Sequence, residues 1–150
     1  MTKGNEFLKR NLLSIIEALK KTYRSADDIC LLKQTLSTLI DLRVYSESFK
    51  EKSIISLCRA MQYQECNAGE VLFEKGAVAD KFFSIIYGKV NMINADEEGN
   101  EKILNTLGQG RSFGERGLVL ELPRSLGVRC KSNVGLIIVT EKDFEKILQF

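Results

Sequence analysis

The sequence predicts a mainly β domain, a sandwich or barrel, with helices at both ends, and two observations support this. Between residues 61 and 139, short apolar stretches alternate with turns that contain glycine or other turn-forming residues, which is typical of antiparallel strands. On either side of that region, apolar residues recur every three or four positions, as in amphipathic helices. A chain of 150 residues is long enough to bury a hydrophobic core of this kind.

Residues 1–45 predict two amphipathic helices. Apolar side chains recur at helical spacing over 7–19 and again over 29–40. Ser25 and Asp28 have the spacing of a helix cap at the start of the second helix. The two apolar faces must be covered by the barrel, by each other or by a second chain. The segment is therefore either a packed hairpin or a surface for a protein partner or for self-association.

A third helix is predicted over 49–60, and strands follow it. The predicted strands are 61–66, 71–74, 82–87, 89–94, 102–107, 125–130 and 134–139. Several of them end next to a glycine, which tolerates the positive φ of tight turns. Residues 140–143 have the pattern of a capping box, so a last helix should begin there. That helix would carry Phe144, Ile147 and Leu148 on one face.

The segment 113–125 brings groups that bind anions to one tight turn. Backbone amides at the start of a short helix over 114–118 attract an anion. The guanidinium of Arg124 can bind phosphate oxygens in a bidentate manner, and the carboxylate of Glu115 can accept a hydrogen bond from a ribose hydroxyl. Taken singly, Glu115 would be a helix cap and Arg124 a solvated turn residue. Together they predict a pocket for a sugar phosphate.

This segment resembles the phosphate-binding cassette of the cyclic nucleotide-binding domain family, which has Phe-Gly-Glu, a short apolar helix, and then Pro-Arg with small residues. The flanking stretches 68–76 and 80–90 also resemble the family in order and spacing. The resemblance implies a β jelly-roll (double-stranded β-helix) barrel with an N-terminal helical extension and a trailing helix. We therefore divide the chain into a helical extension, 1–45, and a cyclic nucleotide-binding domain, 46–150.

The resemblance also implies roles for individual residues, with cAMP or cGMP as the ligand and no other cofactor. Glu115 would accept a hydrogen bond from the ribose 2′-hydroxyl, and Arg124 would pair with the cyclic phosphate. Backbone amides from Gly114 to Gly117 would surround that phosphate, and the Ser125 hydroxyl would permit a contact with the guanine amino group. The expected ligand-binding residues are Phe113, Gly114, Glu115, Arg116, Gly117, Arg124 and Ser125.

The sequence departs from the family pattern in three places, which affect affinity more than fold. Arg116 and Gly117 replace an aliphatic-alanine pair, and Gly117 costs the helix about 1 kcal/mol relative to alanine. Leu126 replaces a small alanine and should narrow the pocket, and Gly127 replaces a hydroxyl or β-branched residue. The family's lid helix has no counterpart before residue 150, so the protein is either naturally short or a piece of a larger one.

Composition argues against several other functions. The chain contains no histidine, which removes the usual ligands of cupin metal sites and the base of a catalytic triad, so we expect no enzymatic activity. A net charge of +2 argues against a broad nucleic-acid surface. No apolar stretch has the length of a membrane span or a signal peptide, so the expected location is the cytoplasm. The four scattered cysteines should be reduced, mostly buried thiols that bind no metal.

We therefore expect a non-catalytic sensor module that binds cAMP or cGMP through the cassette and passes the signal on by rearranging its helices. The alternative is a barrel that no longer binds a nucleotide and acts as a protein interaction module through residues 1–45.

Overall fold

The computed structural model describes residues 3–39, 51–114 and 122–148. Three helices come first: α1 (Lys3–Lys20), α2 (Ala26–Leu39) and α3 (Glu51–Ala60). The strands are β1 (Gln62–Cys66), β2 (Val71–Phe73), β3 (Lys81–Tyr87), β4 (Val90–Ala95), β5 (Glu101–Leu107), β6 (Ser112–Phe113), β7 (Gly127–Cys130) and β8 (Val134–Thr140). A final helix, α4, covers Glu141–Leu148. None of these described helices combines the length and apolar character that crossing a membrane requires.

The strands form two antiparallel four-stranded sheets. Sheet A has the order β1-β8-β3-β6, and sheet B has the order β2-β7-β4-β5. Consecutive strands such as β1 and β2, or β7 and β8, lie in different sheets, so the chain crosses repeatedly from one sheet to the other. The predicted fold class, a β jelly roll with flanking helices, is confirmed.

Sheet A is buried on both faces, which creates two hydrophobic cores. Along β3, Phe83 and Ile85 point between the sheets, while Phe82 and Ile86 point toward the helices, as the alternation of a strand requires. We call the first the inner core and the second the helix-side core. The helix-side core also takes buried apolar residues from α1, α2 and α3. The described parts of both predicted apolar stripes, as far as Leu39, therefore pack within the chain.

Local signals for the helix starts are confirmed. The Ser25 Oγ accepts from the Asp28 amide at 3.1 Å, and the Ser25 amide donates to the Asp28 carboxylate at 2.9 Å. These bonds lower the pKa of Asp28, the Ser25 backbone amide contributing most. At α4, Thr140 Oγ1 accepts from the Asp143 amide at 3.4 Å. Both contacts satisfy backbone donors that a helix start leaves without a partner.

Most strand predictions agree with the structure to within one residue at each end, and two differences are larger. The short strand β6 is not among the predicted strands, and β7 begins at Gly127, two residues after the predicted start. The later start has a physical reason, because the backbone of Arg124 pairs with the loop after β2 rather than with a strand. Residues 40, 49 and 50 of the predicted helices, and the side chains of Phe144, Ile147 and Leu148, lie outside the described residues.

Candidate functional site

A cavity of about 350 Å³ opens beside the end of β6 and the chain that leads into β7. Its volume is within the range of small-molecule sites in proteins. Its lining combines apolar side chains with one buried cation. The lining residues are Phe73, Met92, Gly114, Leu122, Pro123, Arg124, Ser125 and Leu126.

Arg124 is the buried cation of this cavity, with 6% of its surface exposed. Its Nη1 donates to the carbonyl of Gly114 at 2.7 Å, and its Nη2 donates to the carbonyl of Lys81 at 2.5 Å. Its Nε is buried and has no hydrogen-bond acceptor in the described part of the chain. Burial lowers the pKa of Arg124, and the charge of Asp80 acts in the opposite direction. A guanidinium with so high an intrinsic pKa remains charged.

The guanidinium also contacts aromatic rings. Its central carbon lies 4.3 Å from the ring centroid of Phe73 and 6.0 Å from that of Phe83. Both distances are within the reach of cation–π attraction. One face of the Arg124 side chain is therefore shielded from water by a ring rather than by a carboxylate.

The backbone of Arg124 is fixed by the loop that follows β2. The Arg124 amide donates to the carbonyl of Ala77 at 2.8 Å, and the Arg124 carbonyl accepts from the amide of Gly76 at 2.7 Å. Gly114, whose carbonyl accepts a hydrogen bond from the guanidinium, has a φ of +90°. A Cβ at Gly114 would lie 2.8 Å from Arg124 Nη1 and 3.2 Å from the Lys81 carbonyl oxygen. Glycine is needed there both for its φ and for this close approach.

The structure brings three of the seven expected ligand-binding residues to the cavity wall, namely Gly114, Arg124 and Ser125. Phe113 lies in β6, where its buried side chain stacks on Phe83 at a centroid distance of 5.1 Å within the inner core. Glu115, Arg116 and Gly117 lie outside the described residues.

Sequence reasoning missed Phe73, Met92 and the Lys81 carbonyl. In the sequence, Phe73 is only one member of the apolar stretch Val71-Leu72-Phe73, and nothing local shows that a residue about fifty positions later will lie on its ring. The Lys81 contribution comes from the backbone, which sequence does not specify. Such contacts depend on how the two sheets are brought together.

A second cavity, of about 230 Å³, lies near the exposed face of sheet B and has a different electrostatic character. Arg129 on its wall already forms an ion pair with Glu101 at 2.8 Å. Lys75, also on its wall, donates to Asn94 and to the Ala95 carbonyl. Its cations therefore have acceptors on the surface, whereas Arg124 in the first cavity is not among the ion pairs of the described residues.

The structure is thus a jelly roll with a buried guanidinium at a glycine-bounded turn, an arrangement whose chemistry suits an anion. A family model described as cyclic nucleotide-binding domain matches residues 63–149, more than half of the chain. The chain belongs to the cyclic nucleotide-binding domain family.

Individual relatives agree with this assignment. An uncharacterized ABC transporter ATP-binding protein of Mycobacterium tuberculosis is 33% identical over 81 residues, which cover 54% of this chain and 24% of the relative. A cAMP-dependent protein kinase regulatory subunit of Blastocladiella emersonii is 28% identical over 102 residues, covering 68% of this chain and 25% of the relative. This chain thus spans about a quarter of the length of these curated relatives.

Among solved structures, the regulatory domain of Toxoplasma gondii PKA with cAMP matches with a TM-score of 0.70 and 22% sequence identity. The match covers 85% of this chain and 47% of that chain. At this level of identity the similarity establishes a shared fold.

Proposed function

We propose that the chain is a sensor module that binds a cyclic nucleotide, cAMP or cGMP, in the cavity beside Arg124. The observation that carries the proposal is a nearly fully buried guanidinium beside a cavity of suitable volume, with no ion pair among the described residues and with a buried Nε–H that has no acceptor there. Burying a charge without a counter-charge is costly unless a partner compensates for it. A phosphate anion supplies that partner, and a guanidinium binds it in a bidentate manner.

The remaining walls fit the rest of such a ligand. Met92, Leu126 and Pro123 provide apolar surface for a base, and Ser125 adds a hydroxyl at the rim. We propose that Glu115 accepts a hydrogen bond from the ribose 2′-hydroxyl and that the backbone amides of residues 114–117 surround the phosphate. The buried ring of Phe113 anchors the start of this segment in the inner core. The cAMP held by the similar Toxoplasma gondii domain supports this ligand class.

The route from the site to the helices begins at β6. The Ser112 Oγ lies 2.7 Å from Ser84 Oγ and donates to the carbonyl of Leu39, the last residue of α2, at 3.4 Å. Ser112 stands two residues before Gly114, so a shift of the cassette on ligand binding is transmitted to the end of α2. We propose that the helical extension, 1–45, and the binding domain, 46–150, respond together, without catalysis by this chain, and pass the signal to a partner by population shift.

Titration of the protein with a fluorescent cyclic nucleotide tests this function. We expect saturable binding that cAMP or cGMP displaces. Adenosine and guanosine, which lack the phosphate, should fail to displace the probe at concentrations where the cyclic nucleotides succeed. Absence of binding would refute the proposal and favour a barrel that serves as a protein interaction module. Equal displacement by the nucleosides would show that the pocket recognises the base without using Arg124.

A further inference from the structure

We infer that Phe73 is a positioning residue for this site: its ring holds the Arg124 guanidinium in the orientation that receives the phosphate. The inference rests on the proposed nucleotide function and adds to it a residue that acts through Arg124.

Three contacts fix the plane of the guanidinium. The Phe73 ring centroid lies 4.3 Å from its central carbon, and the carbonyl oxygens of Gly114 and Lys81 accept from Nη1 and Nη2. The guanidinium lies over the face of the Phe73 ring, and each of the two carbonyls accepts a hydrogen from one of its terminal nitrogens. A guanidinium carries five N–H donors, so the Nε–H and the second hydrogens of Nη1 and Nη2 have no acceptor among the hydrogen bonds of the described residues. An oxyanion in the cavity can therefore bind without displacing any of the three contacts.

Phe73 is itself held in place by the inner core. Its centroid lies 5.8 Å from that of Phe83 and 6.2 Å from that of Phe113, and the last two rings stack on each other at 5.1 Å. Phe73 comes from sheet B, whereas Phe83 and Phe113 come from sheet A. The ring cluster thus connects the two sheets directly beneath Arg124, and a reorientation of Phe73 would disturb both neighbours.

A ring and a carboxylate would affect a phosphate ligand differently. A carboxylate accepts the same N–H hydrogens that the phosphate needs, so it competes with the ligand. An aromatic face attracts the cation through its quadrupole and leaves the N–H groups of the guanidinium free to donate to another acceptor. Phe73 therefore compensates part of the buried charge in the free protein and leaves the guanidinium available for an anion.

Substitution separates this role from simple packing. Phe73→Leu keeps an apolar side chain but removes the ring, and we expect it to raise the dissociation constant of the fluorescent cyclic nucleotide roughly threefold to thirtyfold. Phe73→Tyr keeps the ring and should restore most of the affinity. Phe82→Leu makes the same truncation in the helix-side core and serves as the matched control, which should lower stability with little effect on affinity. An equal loss in both leucine variants would overturn the inference.

A fluorinated series at position 73 gives a sharper readout, because fluorine withdraws electron density from the ring with little change in its shape. The dissociation constant should rise stepwise from phenylalanine through 4-fluoro, 3,5-difluoro and pentafluoro-phenylalanine. In an Arg124→Lys background, the trend along the series should be weaker than in the unmodified chain. A flat series in a protein that binds the nucleotide normally would refute the role of Phe73 and leave the proposed function intact, whereas absence of binding by the unmodified chain would refute both.

Discussion

Two arginines, Arg24 and Arg124, are partly or fully buried, and each has an Nε without a hydrogen-bond acceptor in the described structure. Their other partners differ. Arg24 donates to four carbonyl oxygens, those of Leu19, Cys58, Arg59 and Met61, at 2.9, 2.6, 3.1 and 2.7 Å. Arg124 donates to two carbonyl oxygens and lies on an aromatic ring.

The difference indicates which of the two cations is available to a ligand. The acceptors of Arg24 lie at or next to the C-terminal ends of α1 and α3, where unpaired carbonyls and the helix dipoles provide negative potential. These carbonyl oxygens compensate the charge of Arg24. Through the same hydrogen bonds, Arg24 connects the ends of α1 and α3 to the residue before β1. Both arginines border a cavity, about 390 Å³ at Arg24 and about 350 Å³ at Arg124, but Arg124 has only two carbonyl acceptors among the described residues and its cavity has mostly apolar walls. Burial alone therefore does not make a cation a candidate ligand-binding group. It becomes a candidate when the protein provides too few acceptors to compensate its charge.

The largest expected effect is the loss of binding in Arg124→Ala. We expect the affinity for the cyclic nucleotide to fall by about 2–5 kcal/mol, because a charged ligand group would be left without its partner. The melting temperature of the free protein should change little, since removing a buried charge offsets the loss of two hydrogen bonds. Arg124→Lys should also bind poorly, because an ammonium cannot make the bidentate contact.

The control for this variant is Arg129→Ala, which removes an arginine from the exposed face of sheet B together with its ion pair to Glu101. It should leave the nucleotide affinity unchanged in the same titration. If Arg124→Ala binds as tightly as the unmodified chain, the assignment of the cassette is wrong.

Arg24→Ala should show the reverse pattern. Loss of contacts to four helix-end carbonyls should lower the free energy of unfolding by about 2–4 kcal/mol in chemical denaturation, with the nucleotide affinity unchanged. Cys58 provides a local readout, because it is fully buried and its burial raises its pKa to about 11. The charge of Arg24 lowers the pKa of Cys58 and is lost in this variant, so faster labelling of the Cys58 thiol at neutral pH would report that the helix ends have opened and exposed it; in the unmodified chain Cys30, which is exposed, reacts first. A loss of affinity as large as that of Arg124→Ala would end the distinction between the two arginines.

The sequence predicted the structural features that depend on neighbouring residues in the chain. The helix start at Ser25 and the last helix after Thr140 each depend on a few neighbouring residues, and both are confirmed. The assignment of Arg124 as an anion-binding residue also came from a local pattern, and it stays a prediction. The family resemblance added the jelly-roll topology.

The rest depends on contacts between distant parts of the chain. The role of Arg24 was not predicted, because the Met61 carbonyl that it contacts is 37 positions away in the sequence. The contact of Phe73 with Arg124 requires the loop after β2 to pair with the backbone of Arg124. In β5, Leu104 is skipped in the pairing with β4, a bulge that a pattern of alternating residues does not reveal.

A smaller effect is expected for Gly114→Ala, which tests how closely the turn must approach Arg124. The φ of +90° and the Cβ contact of 2.8 Å to Nη1 should together cost about 1–3 kcal/mol, part of it in stability and part in nucleotide affinity. Gly99→Ala is the matched control, since Gly99 has a φ of +88° and a Cβ there would meet no atom of the described residues within 4 Å. It should lose stability through backbone strain alone. Equal affinities in the two variants would mean that Gly114 does not help to position the guanidinium.

The smallest expected effect concerns Ser125, the exposed neutral neighbour of Arg124. Its hydroxyl can add one hydrogen bond to the guanine amino group, which contributes about 0.5–1.5 kcal/mol, up to roughly tenfold in affinity. We therefore expect Ser125→Ala to weaken the binding of cGMP while that of cAMP stays nearly constant, in contrast to Arg124→Ala, which should weaken both because both ligands carry the phosphate. Competition of each nucleotide against the fluorescent probe measures the two effects in the same assay. If Ser125→Ala weakens both nucleotides alike, the residue supports the turn rather than reading the base, and base selectivity is determined elsewhere in the protein.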